Sequence, residues 1–126
     1  MILGTLYTVK LNHLNLTVTD VPEACRFLET YFGLRPYDEG RRAKGFDVLF
    51  DDDDLVLTLI RGRRGVEVAY PETFHIGFIQ PTEADVDELN RRLVEDGYDI
   101  EAPHRAHGAW TFYFEAPGGF TIEVLC

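Results

Sequence analysis

The chain contains four histidines, and two of them, His13 and His75, sit in matching contexts. Each lies in an apolar, strand-like run, and each stands seven residues before a residue suited to cap a helix, Asp20 or Thr82. Glu123, in the terminal run TIEVL, completes a set of two imidazoles and one carboxylate. Such a set suits Fe(II), Mn(II), Ni(II), Co(II) or Zn(II), and three ligands from three strands leave coordination positions open for a substrate. A lone histidine is more often a hydrogen-bonded core or surface group. Repetition at matched offsets sets this pair apart. Alternation in TIEV puts Glu123 on the face opposite Ile122 and Val124. If those two face the helices, Glu123 faces the inside of a curved sheet, where an unpaired charge is costly unless a cation neutralises it.

The elements that must position these residues can be read from periodicity and punctuation. Leu11 to Val18 alternates as a strand with His13, Asn15 and Thr17 on one face, so Asn15 and Thr17 are expected to line any pocket around His13. Asp20 with Glu23 forms a capping box, Ala24, Phe27, Leu28 and Tyr31 give a helical stripe, and Gly33 ends the helix. Strands are predicted from Gly45 to Phe50 and Leu55 to Ile60, joined by a turn at Asp51 to Asp54. The order then recurs. Phe74 to Gln80 is the strand, Thr82 caps a helix with Val86, Leu89 and Leu93 on its buried stripe, and Gly97 closes it. Strands follow at about Tyr98 to Ala102, Trp110 to Glu115 and Phe120 to Leu125, with Pro117-Gly118-Gly119 turning the last two. The period, roughly 62 to 65 residues, indicates two copies of one βαβββ unit. We place module one at about 8–61, a linker carrying RGRRG at about 62–72, and module two at about 73–126.

Bulk properties narrow the function classes. At 126 residues and 45% hydrophobic the chain fits a single domain with a packed core. A formal charge of -10 argues against non-specific binding to nucleic acid or to an anionic membrane, both of which need clustered cations. The expected partner is a small-molecule substrate or a second copy of the chain. Cys25 and Cys126 show neither zinc spacing nor the density of a disulfide framework, so a reducing cytoplasm is the plain reading. MILGTLYTVK lacks the pattern of a signal peptide, and no apolar run reaches the ~18 to 20 residues of a membrane span. Asp51 to Asp54 lacks the spaced oxygens of a calcium loop and reads as a solvated turn.

LNHLNLTVTD, FHIGF and FYFEAPGGFTIEVL together resemble the vicinal oxygen chelate superfamily, which includes glyoxalase I, bleomycin-resistance proteins, fosfomycin-resistance enzymes and extradiol dioxygenases. The resemblance spans nearly the whole chain. It implies an α+β fold of two βαβββ modules forming an open, cupped mixed sheet with helices outside, and a homodimer whose cups are built within one chain or from modules of two. It also implies a metal held by His13, His75 and Glu123. Glyoxalase I enzymes usually place a fourth ligand on the last strand of the first module, where this chain has Thr58, a poor replacement for a carboxylate that doubles as base. The loop before FYF, HRAHGAWT, departs from the serine-rich loop of fosfomycin-resistance enzymes.

Tyr113 stands where extradiol dioxygenases carry a tyrosine that hydrogen-bonds the bound substrate or oxygen; the bland alternative is an aromatic filling the cup. His107 or His104 could act as acid or base or touch substrate, although loop histidines are usually only solvated. Arg105 could meet an anionic group and otherwise reads as a surface charge. Thr58 could hold a water or substrate, and Trp110 would wall the pocket or form a dimer contact. The leading expectation is a metal-dependent enzyme, dioxygenase-like or glyoxalase-like, acting on a small substrate with vicinal oxygens. The alternative is a metal-free small-molecule or antibiotic binder of the bleomycin-resistance type, which usually lacks the complete ligand set.

Overall fold

The computed structural model describes residues 9–40 and 42–126. The first residues of the N-terminal segment read for targeting, and the module boundary at residue 8, lie outside the described residues. The order is β1 (His13–Val18), α1 (Val21–Phe32), β2 (Arg35–Pro36), β3 (Phe46–Phe50), β4 (Val56–Arg61), β5 (Ile76–Ile79), α2 (Glu83–Glu95), β6 (His104–Ala106), β7 (Ala109–Ala116) and β8 (Phe120–Leu125). Two mixed sheets run β1-β4-β3-β2 and β5-β8-β7-β6, so the duplicated order in sequence is a duplicated topology in space. Among the described residues no helix is long and apolar enough to cross a membrane.

Both helices start where the capping chemistry says they should. The Asp20 side chain accepts from Glu23 N at 2.9 Å, and Thr82 Oγ1 accepts from Asp85 N at 3.1 Å, each satisfying a donor the first helical turn leaves free. Gly33 closes α1 in the left-handed conformation, its N–H reaching Glu29 O at 3.1 Å. The predicted stripes are largely the buried ones: Ala24, Phe27 and Leu28 on α1, Val86, Leu89 and Leu93 on α2, while Tyr31, the fourth of the α1 stripe, is only partly buried against the core. α1 packs on β3 and β4, and α2 on β7 and β8.

Two strands differ from the sequence reading. Residues 98–102 do not pair as a strand; Tyr98 and Ile100 instead pack against the core from an unpaired segment. The strand lies further on, at His104–Ala106, because it hairpins with β7 through the two-residue turn His107-Gly108. Apolar alternation there reported burial and not a ladder. β2 is a two-residue strand paired with β3, too short to leave a periodic signal.

The core is one continuous cluster across both modules. Phe27 of α1 carries the joint, with ring centroids 5.9 Å from Phe114 of β7 and 5.4 Å from Tyr98. Thr19 N also donates to Gly118 O at 3.1 Å. The modules of one chain are therefore fastened through their apolar, helix-bearing sides.

Candidate metal centre

Register places the two modules in exact correspondence. Asn15, two residues after His13, pairs with Thr58; Gly77, two residues after His75, pairs with Glu123. Thr58 is thus the counterpart of Glu123 in the first sheet. His13, Asn15, Thr17 and Thr58 share one face of that sheet. On the second sheet Glu123 is flanked by Gly77 on β5 and Tyr113 on β7, while Ile122 and Val124 are fully buried on the other face. The alternation argument for Glu123 holds.

Glu123 is only 5% exposed and is the hub of a polar cluster. Thr111 Oγ1 lies 2.7 Å from Glu123 Oε2 and 3.0 Å from Val124 O. His107 Nε2 stands 3.0 Å from Glu123 Oε2 and 3.0 Å from the Tyr113 hydroxyl. His75 Nε2 stands 3.3 Å from Glu123 Oε1, and its ring meets Tyr113 edge-on at 5.3 Å. Burial pushes the Glu123 carboxyl upward. Hydrogen bonds from Thr111 and Tyr113 and the nearby imidazoles of His107 and His75 outweigh it, so the group ionises below its ordinary range. Tyr113 is shifted up, by burial first and then by its bond to Glu123.

The tautomer of His75 bears directly on a metal. Its Nδ1 lies 3.0 Å from Thr73 O, and a carbonyl only accepts, so Nδ1 carries the hydrogen. In the neutral ring Nε2 then turns a lone pair toward Glu123 Oε1, and two acceptors face each other. A second proton on the ring or a cation between the two resolves the conflict. This is the arrangement in which one ring nitrogen is fixed by an oxygen acceptor and the other is left to ligate. His13 repeats it, with Nδ1 3.1 Å from Asn12 Oδ1 and the ring exposed. The donor set therefore fits a divalent ion.

One chain does not gather the full set. Among the described residues no group of three His, Cys, Asp or Glu side chains is arranged to hold a metal. His13 opens β1 in the first sheet, whereas His75 and Glu123 belong to the second. Asn15, Thr17 and Thr58 stay with His13 on the first sheet's polar face. His107 does reach the cluster, from the left-handed turn position, with φ 37°. Trp110 points to the opposite face of β7 from Tyr113: Nε1 donates to Asp87 of α2 at 2.7 Å and Arg105 covers its ring at 5.2 Å. It packs under the helix and does not wall a pocket beside Glu123. His104 pairs with Glu101 at 3.2 Å. Thr111 is the residue sequence reading passed over, although it is a polar residue in an apolar strand two positions before Tyr113.

The sequence profile described as the glyoxalase/bleomycin resistance protein/dioxygenase superfamily matches residues 10–124. The chain belongs to that superfamily. Among solved structures of the superfamily's fold, a possible glyoxalase from Bacillus cereus is 51% identical, with a TM-score of 0.84, over 94% of this chain and 100% of that one. A lactoylglutathione lyase from Agrobacterium tumefaciens, 20% identical, superposes with a TM-score of 0.72 over 94% of this chain and 93% of that one. A fosfomycin resistance protein from Mesorhizobium loti, 22% identical, gives 0.71 over 94% of this chain and 92% of that one. No curated protein matches the chain. Superfamily membership and the observed α+β architecture agree with the resemblance drawn from LNHLNLTVTD, FHIGF and FYFEAPGGFTIEVL.

Proposed function

We propose that the chain is a metal-dependent enzyme acting on a small substrate with vicinal oxygens. His75 and Glu123 of one chain and His13 of a second chain would together hold a divalent ion in a homodimer. The observation that carries the reading is the His75–Glu123 pair, with Nε2 3.3 Å from a buried carboxylate oxygen and Nδ1 held by Thr73 O. Further support comes from the exposed apolar residues on the two polar sheet faces. Phe46, in line with Ile60 and Thr17, is 54% exposed, and Ile79, on the face of Glu123, is 78% exposed. A second copy laid against these faces covers both and brings a foreign His13 toward Glu123, since the helix-bearing sides are already spent on joining the modules of one chain.

A divalent ion held by His75, Glu123 and the second chain's His13 would supply Lewis acidity to the substrate. The chain's own residues do the rest. Thr111 ties up Glu123 Oε2 and leaves Oε1 free toward His75. The Tyr113 hydroxyl, 3.0 Å from His107 Nε2, presents a hydrogen bond beside the ligands, and His107 is placed to exchange a proton with that hydroxyl. Asn15, Thr17 and Thr58 form the polar wall that accompanies His13. Thr58 cannot serve as a carboxylate base, which favours a dioxygenase-like or other lyase or transferase reaction over the glutathione-dependent glyoxalase reaction.

Metal stoichiometry tests the site and its placement together. Wild-type protein is expected to bind about one divalent ion per chain, and His13→Ala and His75→Ala to lose it. Mixing the two variants, so that chains exchange, restores close to one site per mixed dimer if the ligands come from two chains and none if they come from one. Metal binding that survives both substitutions removes the ligand assignment. Wild-type protein that takes up no divalent ion, yet binds a small ligand unchanged by chelator, favours the binder reading.

A further inference from the structure

The linker sequence RGRRG is not accounted for by the metal centre. In the structure Arg61, Arg63 and Arg64 line a cleft of ≈ 910 Å³ with Thr19 and Glu67. A smaller recess of ≈ 230 Å³ shares Thr19 and Arg61 with it and adds Lys44 and Asp20. Arg61 pairs with Val18, at the end of β1 away from His13, and none of His75, His107, Thr111, Tyr113 or Glu123 lines the cleft.

Cations gathered without partners are unusual in this chain, where 22 acidic side chains face 12 basic ones. Elsewhere, among the described residues, every arginine but Arg26 is engaged. Arg42 pairs with Glu29, Arg91 with Glu88 and Glu95, and Arg105 with Glu83, while Arg35 and Arg92 donate to the carbonyls of Asp51 and Thr30. Among the described residues Arg61, Arg63, Arg64 and Lys44 make no side-chain ion pair or hydrogen bond. Two acids offset part of this charge, Glu67 in the cleft and Asp20 in the recess, and Asp20 Oδ1 is also the cap of α1.

The backbone is built to hold this cluster. Arg61 N donates to Gly45 O at 2.9 Å, Gly62 N to Val18 O at 3.0 Å and Val66 N to Arg63 O at 3.0 Å. A Cβ at Gly62 would stand 2.7 Å from Val68 Cγ2, so a larger residue there would have to push that methyl out of the cleft wall. Like charges on one wall repel until an anion sits among them, and guanidinium forks match the oxygens of a phosphoryl group. We propose that the cleft binds the phosphate group of a small, soluble phosphorylated molecule, independently of the metal centre.

Calorimetric titration with pyrophosphate at low ionic strength tests this. The wild type is expected to bind saturably, near one per chain and more weakly as salt rises. Arg63→Ala/Arg64→Ala is expected to weaken binding at least tenfold, and Arg26→Ala/Arg91→Ala, which removes the same charge elsewhere, to leave it unchanged. Circular dichroism checks that both variants fold. Heats no larger than dilution, binding unchanged in Arg63→Ala/Arg64→Ala, or equal losses in both double variants overturn the proposal. So does co-sedimentation with phosphatidylserine vesicles in the absence of pyrophosphate binding, which would assign the cluster to a membrane surface.

Discussion

Thr111→Val separates the hydrogen bond that orients Glu123 from the packing around it. Valine is nearly isosteric with threonine, and Thr111 is fully buried, so the substitution opens no sizeable cavity and puts a methyl where the hydroxyl donates. That hydroxyl lies 2.7 Å from Glu123 Oε2, on a carboxylate that is 5% exposed, with Val124 O as its other partner at 3.0 Å. A hydrogen bond to a charged group contributes about 1.5–3 kcal/mol, and leaving a buried acceptor short of a donor costs a similar amount. His107 Nε2, at 3.0 Å from the same oxygen, remains and limits the loss. We therefore expect unfolding stability to fall by about 1–2 kcal/mol in metal-free protein, read from urea denaturation. Metal affinity is expected to fall about 10- to 100-fold, the usual effect of losing an outer-shell partner that orients a ligand, read by calorimetry. Thr111→Ser retains the hydroxyl and should recover most of the affinity while giving up a methyl group's worth of packing. If Thr111→Val matches the wild type in both stability and metal affinity, the hydroxyl does not orient Glu123 and the account of its free Oε1 fails.

Phe27→Ala removes the ring that touches Phe114 and Tyr98 across the module joint and is expected to cost about 3–5 kcal/mol; a loss below about 1 kcal/mol in chemical denaturation would mean the modules hold together by other contacts. Tyr31 donates to Asp96 Oδ2 at 2.5 Å, and that bond, ahead of burial, raises its pKa from 10.0 to about 12. Folding thus favours the protonated phenol, so its contribution is fully present below pH 10.0 and is lost as pH rises through about 12. The alkaline decline in stability should be shallower in Tyr31→Phe, and identical profiles would refute the link. Burial, followed by the nearby Asp47 charge, lifts the Cys25 thiol to about 11. At pH 8 an aromatic disulfide reagent should therefore label the partly exposed Cys126 at once and Cys25 only after denaturant is added; two fast thiols would show that the α1 core opens readily.

Several elements were legible because their signals are local. The Asp20 and Thr82 caps, the glycine at the end of α1 and the alternation at β1 and β8 each depend on residues within one turn or one strand. Tyr98 to Ala102 misled for the same reason. Alternating Tyr98 and Ile100 do pack against the core, but strand formation also needs a neighbour to pair with, and β7 pairs instead with His104–Ala106. Trp110, which the sequence left as a pocket wall or a dimer contact, has the opposite parity to Tyr113 on β7 and reaches Asp87 of α2. Counting back from Pro117-Gly118-Gly119 through an antiparallel pair would have placed Tyr113 opposite Glu123, and Thr111 beside them as a buried polar partner.

By itself the sequence determined the duplicated βαβββ unit, the faces on which His13 and Glu123 lie, and Thr58 as the unlike counterpart of Glu123, because periodicity and capping report which side of each element is apolar. Only the tertiary structure decided what each apolar side is buried against. It fastened the modules of one chain through Phe27, Phe114 and Tyr98, put His13 and Glu123 in different sheets, and folded His107 and Thr111 onto the Glu123 carboxylate. The physical reason is that burial is non-directional. An apolar stripe specifies that it must be covered, while the partner that covers it is chosen by the shape and connectivity of the whole chain.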